Sequence, residues 1–444
     1  MIHDCRGLEV TAAGPAAVVA FDRAIEAVLG HRADAGAAIQ ATFDADPDMT
    51  LCWILRGAAH LLLAKQESVP VAREALVRAE RSLAARGGTA REQLLAGALR
   101  AWVAGNMRQA TDRIDEALGL NPLDGFALKL GHGLKFMLGD LVGMRRSLDR
   151  VLPDWRADVP DSGYVLGCYA FVLEESGDLV QAERVGRQAL ERAPRDVWGA
   201  HAVAHVFEMQ GRAADGIAWL AEQSAQLPDV NNFAYHMHWH RALFHLALGE
   251  IDPVLDLYDG SIRATSTDDF RDIANAVSLL WRLEAQGVDV GRRWDELAEL
   301  SAARGADPSL AFSLAHRALA LAAGRRLDVL ARLIGELEAW VVDNATCQAG
   351  VLRVIGLPLL RAILAEAAGH PDQAVDILFP IRHRLQSLGG SHAQRDLFHW
   401  FLTDAAIAAG RRAEAFELLA DRTDRHATTD WAADRLTGLT QIAA

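Results

Sequence analysis

Cysteine is scarce: the four residues, Cys5, Cys52, Cys168 and Cys347, are scattered over 444 positions and form no CxxC pair. That leaves neither a disulfide framework nor a thiolate zinc site, and it goes with a reducing, cytoplasmic setting. There are only 4 tyrosines, and threonine and isoleucine are sparse, so β-sheet has little to be built from. Runs of like charge are missing as well. The 45 basic and 59 acidic side chains give a formal charge of −14 spread along the chain. Without a basic patch, neither nucleic acid nor an anionic membrane surface is an expected partner. The start, "MIHDCRGLEV", has no basic segment followed by an apolar core, and no apolar run approaches the roughly 18 uninterrupted residues of a membrane span. "SLAFSLAHRALALAAG", for example, is broken by His316 and Arg317. A P-loop, a dinucleotide-binding glycine fingerprint and a G-x-S-x-G elbow are absent too.

What is present is helix-forming residue and repetition. Half the residues are hydrophobic, and alanine, leucine and arginine dominate, so nearly all helix is expected. The stretches "VAGNMRQATDRIDEALGLNP", "MLGDLVGMRRSLDRVLPD", "ESGDLVQAERVGRQALERAP", "MQGRAADGIAWLAEQ" and "ALGEIDPVLDLYDG" each show a glycine, a polar residue and then a helical apolar pattern. Their glycines, Gly105, Gly139, Gly177, Gly211 and Gly249, stand 34, 38, 34 and 38 residues apart. Each interval is one helix-turn-helix unit, with the glycine supplying the positive-φ turn. Similar punctuation returns at Gly324, Gly369 and Gly410. The expectation is one solenoid over 1–444, with regular repeats over about 90–250, an irregular, out-of-register helix pair over about 251–310, and C-terminal repeats over about 311–444.

The stretch "GYVLGCYAFVLEESGDLVQAERVGRQALERAPRD", from Gly163, resembles the tetratricopeptide repeat. Gly167, Tyr169, Gly177, Ala182, Ala189 and Pro194 fall at its small, aromatic, turn, small, small and terminating positions. In order along the chain, "DCRGLEVTAAGPAAVVAFDRAI", "ATFDADPDMTLCWILRGAAHLLLA", "HAVAHVFEMQGR", "SLLWRLEAQGVDVGRRWDEL" and "GGSHAQRDLF" resemble the tetratricopeptide repeat protein 38 family over essentially the whole chain. That resemblance implies an all-α, right-handed α-solenoid with a concave groove and says little about biochemistry.

In repeats of this type, residues about thirteen, ten, six and three before the turn glycine face the groove. Before Gly211 these are Trp198, His201, His205 and Glu208; offsets of 0, 3, 7 and 10 lie on one helix face. Before Gly177 they are Tyr164, Gly167, Phe171 and Glu174, and before Gly249 they include His236 and Trp239. His238 and His245 fall on the packing stripe, as core histidines, and His240 at the groove margin. Ala200, Ala204 and Phe207 form the alternative stripe, expected to be the core face.

Two chemistries suit the groove histidines. As i,i+4 imidazoles, His201 and His205 can ligate a divalent metal such as zinc, with His236 as a third ligand; HExxH is absent because Ala202 follows His201. Alternatively His201, His205 and Glu208 are candidate catalytic acid–base groups. The second unusual segment is "LGGSHAQRDLFHW", with Ser391, His392, Arg395 and Asp396. Either Ser391 or Asp396 caps a helix and Arg395 pairs with a carboxylate, or the loop enters the groove and Arg395 holds an anion bidentately. Asp268, Asp269 and Asp272 read as a solvated helix start. The expected function is binding of a peptide segment or small organic ligand in the groove, stacked on Trp198, Trp239 and Tyr164; the alternative is a small-molecule hydrolase or lyase. No oligomeric state is read from the sequence.

Overall fold

The computed structural model describes residues 2–423 and 430–441, so 424–429 and 442–444 of the expected C-terminal repeats lie outside the described residues. Apart from a hairpin of Ile2–His3 with Glu9–Val10, the chain is helical, as antiparallel pairs that follow one another in sequence. Among the described residues it forms two compact units, one within 1–206 and 223–234, the other within 207–222 and 235–444.

The turn signals explain the pairs. In the first unit Ala90–Val103 packs on Met107–Leu120, and Ser162–Glu175 on Leu179–Arg192. Gly105, Gly139 and Gly177 have φ of 79°, 64° and 83°. The next backbone N–H reaches back five residues: Asn106 to Ala101 at 2.8 Å, Asp140 to Lys135 at 2.9 Å, Asp178 to Leu173 at 2.9 Å. This is the Schellman closure, which satisfies helix-end carbonyls and needs a left-handed residue. The polar residue after each glycine caps the following helix, Asn106, Asp140 and Asp178 accepting from the N–H of Gln109, Gly143 and Gln181, worth about 1 kcal/mol each.

In the second unit the same closure recurs at Gly211, Gly249, Gly369 and Gly410. Two sequence expectations are corrected here. The 251–310 segment is not out of register: Gly287, φ 81°, turns the chain 38 residues after Gly249, with Val288 N–H on the Leu283 carbonyl, between helices Phe270–Glu284 and Arg293–Arg304. At "AAGRRLDVL" the left-handed residue is Arg325, φ 57°, and not Gly324. Gly324 serves packing instead, since a Cβ there would stand 2.4 Å from Ala298 Cβ.

Asp269 caps the helix Phe270–Glu284 through the Arg271 N–H. Its neighbours are not solvated: Asp268 pairs with Arg317 at 2.6 Å and with Arg304, and Asp272 is buried, accepting from Thr267 at 2.6 Å. Cys347–Ala367 is long and apolar enough to cross a membrane by length and composition alone, but 56% of its most apolar 18-residue window is buried in the second unit and the segment contains Arg353 and Arg361.

Candidate functional site

In the first unit, the residues expected on the groove face are all buried: Tyr164, Phe171, Glu174, Trp198, His201 and His205. Ala200 and Ala204 are buried too, so the helix Val197–Met209 has no water-facing stripe along its first ten residues. The rings form one aromatic cluster. Phe171 stands 4.9 Å from Trp198 and stacks on His201 at 5.7 Å, Phe233 meets His201 edge-on at 5.1 Å, and His31 stacks on Trp198 at 5.5 Å. Lys129 Nζ lies 4.8 Å from the Trp198 ring centre, within cation–π range.

At the end of this cluster, His201 and His205 bring their Nε2 atoms to 2.9 Å, and His205 Nδ1 lies 3.4 Å from Glu174 Oε2. One helical turn separates the two imidazoles, which is why they meet. The sequence reading passed over Asp196, whose position directly before an apolar helix marks a cap. Burial raises its carboxyl to about 7, opposed by the Lys129 charge and the N–H groups of Gly199 and Trp198. A Cβ at Gly167 would stand 2.0 Å from Asp196 Oδ2, so the small residue at 167 makes room for that carboxyl.

The second unit holds a matching pair. His236 and His240 face each other Nε2 to Nε2 at 3.2 Å. Behind them, His236 Nδ1 donates to Asn275 Oδ1 at 2.8 Å and His240 Nδ1 to Glu208 Oε2 at 3.1 Å. Burial, then the neighbouring imidazole, lower His236 to about 3 against the Asn275 hydrogen bond. Burial and the Arg282 charge lower His240 to about 3. Two expectations are overturned. His240 is not marginal but fully buried, whereas His238 and His245 are the partly exposed ones, His245 bonding Glu250 at 2.6 Å. The neighbouring Met237 and Phe244 are the buried packing residues. Trp239 is fully buried as well.

In "LGGSHAQRDLFHW", Ser391 is the cap of His392–Ala408, in a capping box with Gln394. Arg395 is buried and donates to the Gly390 carbonyl of its own loop. Asp396 does not start the helix; it takes Arg422 at 2.9 and 3.0 Å and Trp400 Nε1 at 2.9 Å. His392 is the first residue of the helix and half-buried. Asn275 and Arg422 escaped the sequence reading because their partners lie 39 and 26 residues away.

A neutral histidine that donates through Nδ1 carries no proton on Nε2. Since carboxylate and amide oxygens only accept, His236 and His240 present two acceptor nitrogens to each other. Two such nitrogens could hold a cation between them. Two nitrogens each about 2.0–2.1 Å from a zinc ion at a tetrahedral angle stand about 3.3 Å apart, and a carboxylate or carbonyl behind the ligating histidine is the usual support. The residues fit a divalent transition metal.

No family model matches the chain. Among solved structures it is similar to a tetratricopeptide repeat protein from Parabacteroides merdae, at 15% identity over 60% of this chain and 100% of that one, with a TM-score of 0.36. It is also similar to yeast Tom70, at 12% identity over 95% and 87% of the two chains with a TM-score of 0.37. A third, the TPR domain of P58(IPK), matches at 13% identity over 80% of this chain and 98% of that one, with a TM-score of 0.23. Likeness of this order transfers neither partner nor activity. By its own helix pairs and turns, the chain is an all-α, solenoid-type, tetratricopeptide-like repeat protein.

Proposed function

We propose that this helical-repeat protein holds a divalent transition metal, zinc by ligand type, on its paired imidazoles, and that what it binds is small rather than an extended peptide. The His236–His240 pair carries the reading: Nε2 atoms 3.2 Å apart, each ring fixed from behind by an acceptor. In the first unit the His201 and His205 Nε2 atoms stand 2.9 Å apart, and Glu174 lies 3.4 Å behind His205, which supports a second site of the same kind. The burial of Tyr164, Phe171, Trp198 and Trp239 supports the small-ligand half, because a peptide strand stacks on exposed rings. The motifs quoted above support membership of the tetratricopeptide repeat protein 38 family, and the scattered cysteines a cytoplasmic setting. A hydrolase or lyase would use the same imidazoles, with the metal supplying a Lewis acid; no observation favours it over binding.

The test is zinc titration of chelator-treated, dialysed protein against a colorimetric competitor. Tight binding of two equivalents is expected, one of them lost in His236→Ala/His240→Ala and the other in His201→Ala/His205→Ala. Failure of the wild type to compete, or unchanged stoichiometry in both double variants, overturns the reading.

A further inference from the structure

Inside the second unit lies a cavity of about 80 Å³, lined by Glu208, Phe244, Arg282, Asp396, Trp400 and Arg422 among others. Its two guanidiniums are unusual. Arg282, 3% exposed, donates through Nη1 to the Ser278 carbonyl at 3.2 Å and to Ser278 Oγ, and through Nη2 to the Ala393 carbonyl at 2.8 Å. All three acceptors are neutral, and among the described residues no carboxylate stands within ion-pairing distance of it. Arg422, 7% exposed, commits Nε and Nη2 to Asp396, while among the described residues its buried Nη1 has no hydrogen-bond partner.

The carboxylates of the cavity are already engaged. Asp396 accepts from Arg422 and Trp400, and Glu208 from His240. A buried cation bonded only to neutral oxygens keeps most of its desolvation penalty, and so does a buried N–H with no acceptor. An anion in the cavity would relieve both.

We propose that this cavity is a binding site for a short-chain aliphatic carboxylate, its oxygens taken by Arg282 and by Arg422 Nη1 and its alkyl part packed on Phe244, Leu243 and Trp400. The residue chemistry decides the class. Guanidinium forks match carboxylates bidentately. Phosphate is disfavoured, because its higher charge would stand beside two carboxylates of the lining, Glu208 and Asp396. Volume decides the size: roughly 150 Å³ encloses a benzene ring, so about 80 Å³ takes a few carbons and no aromatic acid. The site uses none of the four paired imidazoles, although Glu208 borders it and also holds His240, so it is tested on metal-free protein.

The experiment is calorimetric titration and thermal unfolding of the full chain, metal-stripped and dialysed, with sodium propionate at constant ionic strength. Propanamide, of the same shape and uncharged, and inorganic phosphate are the comparisons. Saturable propionate binding that raises Tm is expected, with propanamide and phosphate at least tenfold weaker and propionate affinity lowered at least tenfold in Arg282→Met. Should that variant not fold, Arg282→Lys, which keeps the charge and loses the fork, is expected to weaken binding about tenfold. Absence of saturable propionate binding, propanamide or phosphate equalling propionate, or wild-type affinity in the folded Arg282 variant overturns the proposal.

Discussion

Removing the counter-ion of Arg422 while keeping its shape is the sharpest test of how the second unit is held together. In Asp396→Asn the amide oxygen replaces one carboxylate oxygen, and the amide NH2 then faces either the Nε of Arg422 or the Nη2 of Arg422 and Nε1 of Trp400, which stood 2.9–3.0 Å from the carboxylate. Donor meets donor, and a guanidinium only 7% exposed is left without a counter-charge. Breaking one side of a buried pair costs about 3–5 kcal/mol. Replacing both partners with apolar side chains, Asp396→Leu with Arg422→Met, removes the charge together with its partner. The remaining loss is the acceptor of Trp400 Nε1, about 1–2 kcal/mol. Urea unfolding followed through the circular dichroism of the stacked Trp400 and Trp431 indoles, 4.0 Å apart and 12° from parallel, reads the second unit specifically. A single-variant loss under about 1 kcal/mol, or a double variant losing the sum of both singles, refutes the reasoning.

Gly216→Ala places a Cβ 2.4 Å from the Phe244 ring; overpacking of about 1–3 kcal/mol outweighs the roughly 1 kcal/mol helix-propensity gain, and Phe244→Leu restores stability by urea midpoint. His316 is lowered to about 4 by burial first, against its hydrogen bond to the Phe312 carbonyl, with the Arg282 charge lowering it further. Its folded value lies below the unfolded one of about 6.5, so stability is lost as pH falls from 6.5 to 4, by up to about 3 kcal/mol; His316→Leu flattens the urea midpoint over that window. Asp196, raised to about 7 by burial, has the opposite sign: its contribution is full below about 3.8 and lost as pH rises through 7, up to about 4 kcal/mol. Asp196→Asn is therefore expected to raise the midpoint at pH 8 and to leave it unchanged at pH 4.

The fold was legible where a single residue type does a local job. Turn glycines need positive φ, and the next residue's side chain caps the next helix, so Gly105, Gly139 and Gly177 with Asn106, Asp140 and Asp178 announce the pairs within a few residues of sequence. The same rule misled at Gly324, because glycine also answers a close approach, here Ala298, that only the packed structure contains. Histidine spacing gave the His201–His205 pair, since i,i+4 side chains meet on any helix. It misjudged His240 because a helix covered on both faces has no dry stripe to contrast with a wet one. Asn275 and Arg282 carried no local signal: their contacts reach His236, 39 residues away, and Ala393, 111 residues away. The Ser391 capping box was legible, and the destination of Asp396 was not.

X-ray absorption at the zinc edge of protein loaded with one equivalent of zinc tests the central claim most directly. The account predicts nitrogen scattering at about 2.0–2.1 Å with the outer-shell pattern of at least two imidazoles, lost when His201, His205, His236 and His240 are all replaced by Ala. A sulfur shell near 2.3 Å, or oxygen ligands without imidazole scattering, would contradict it.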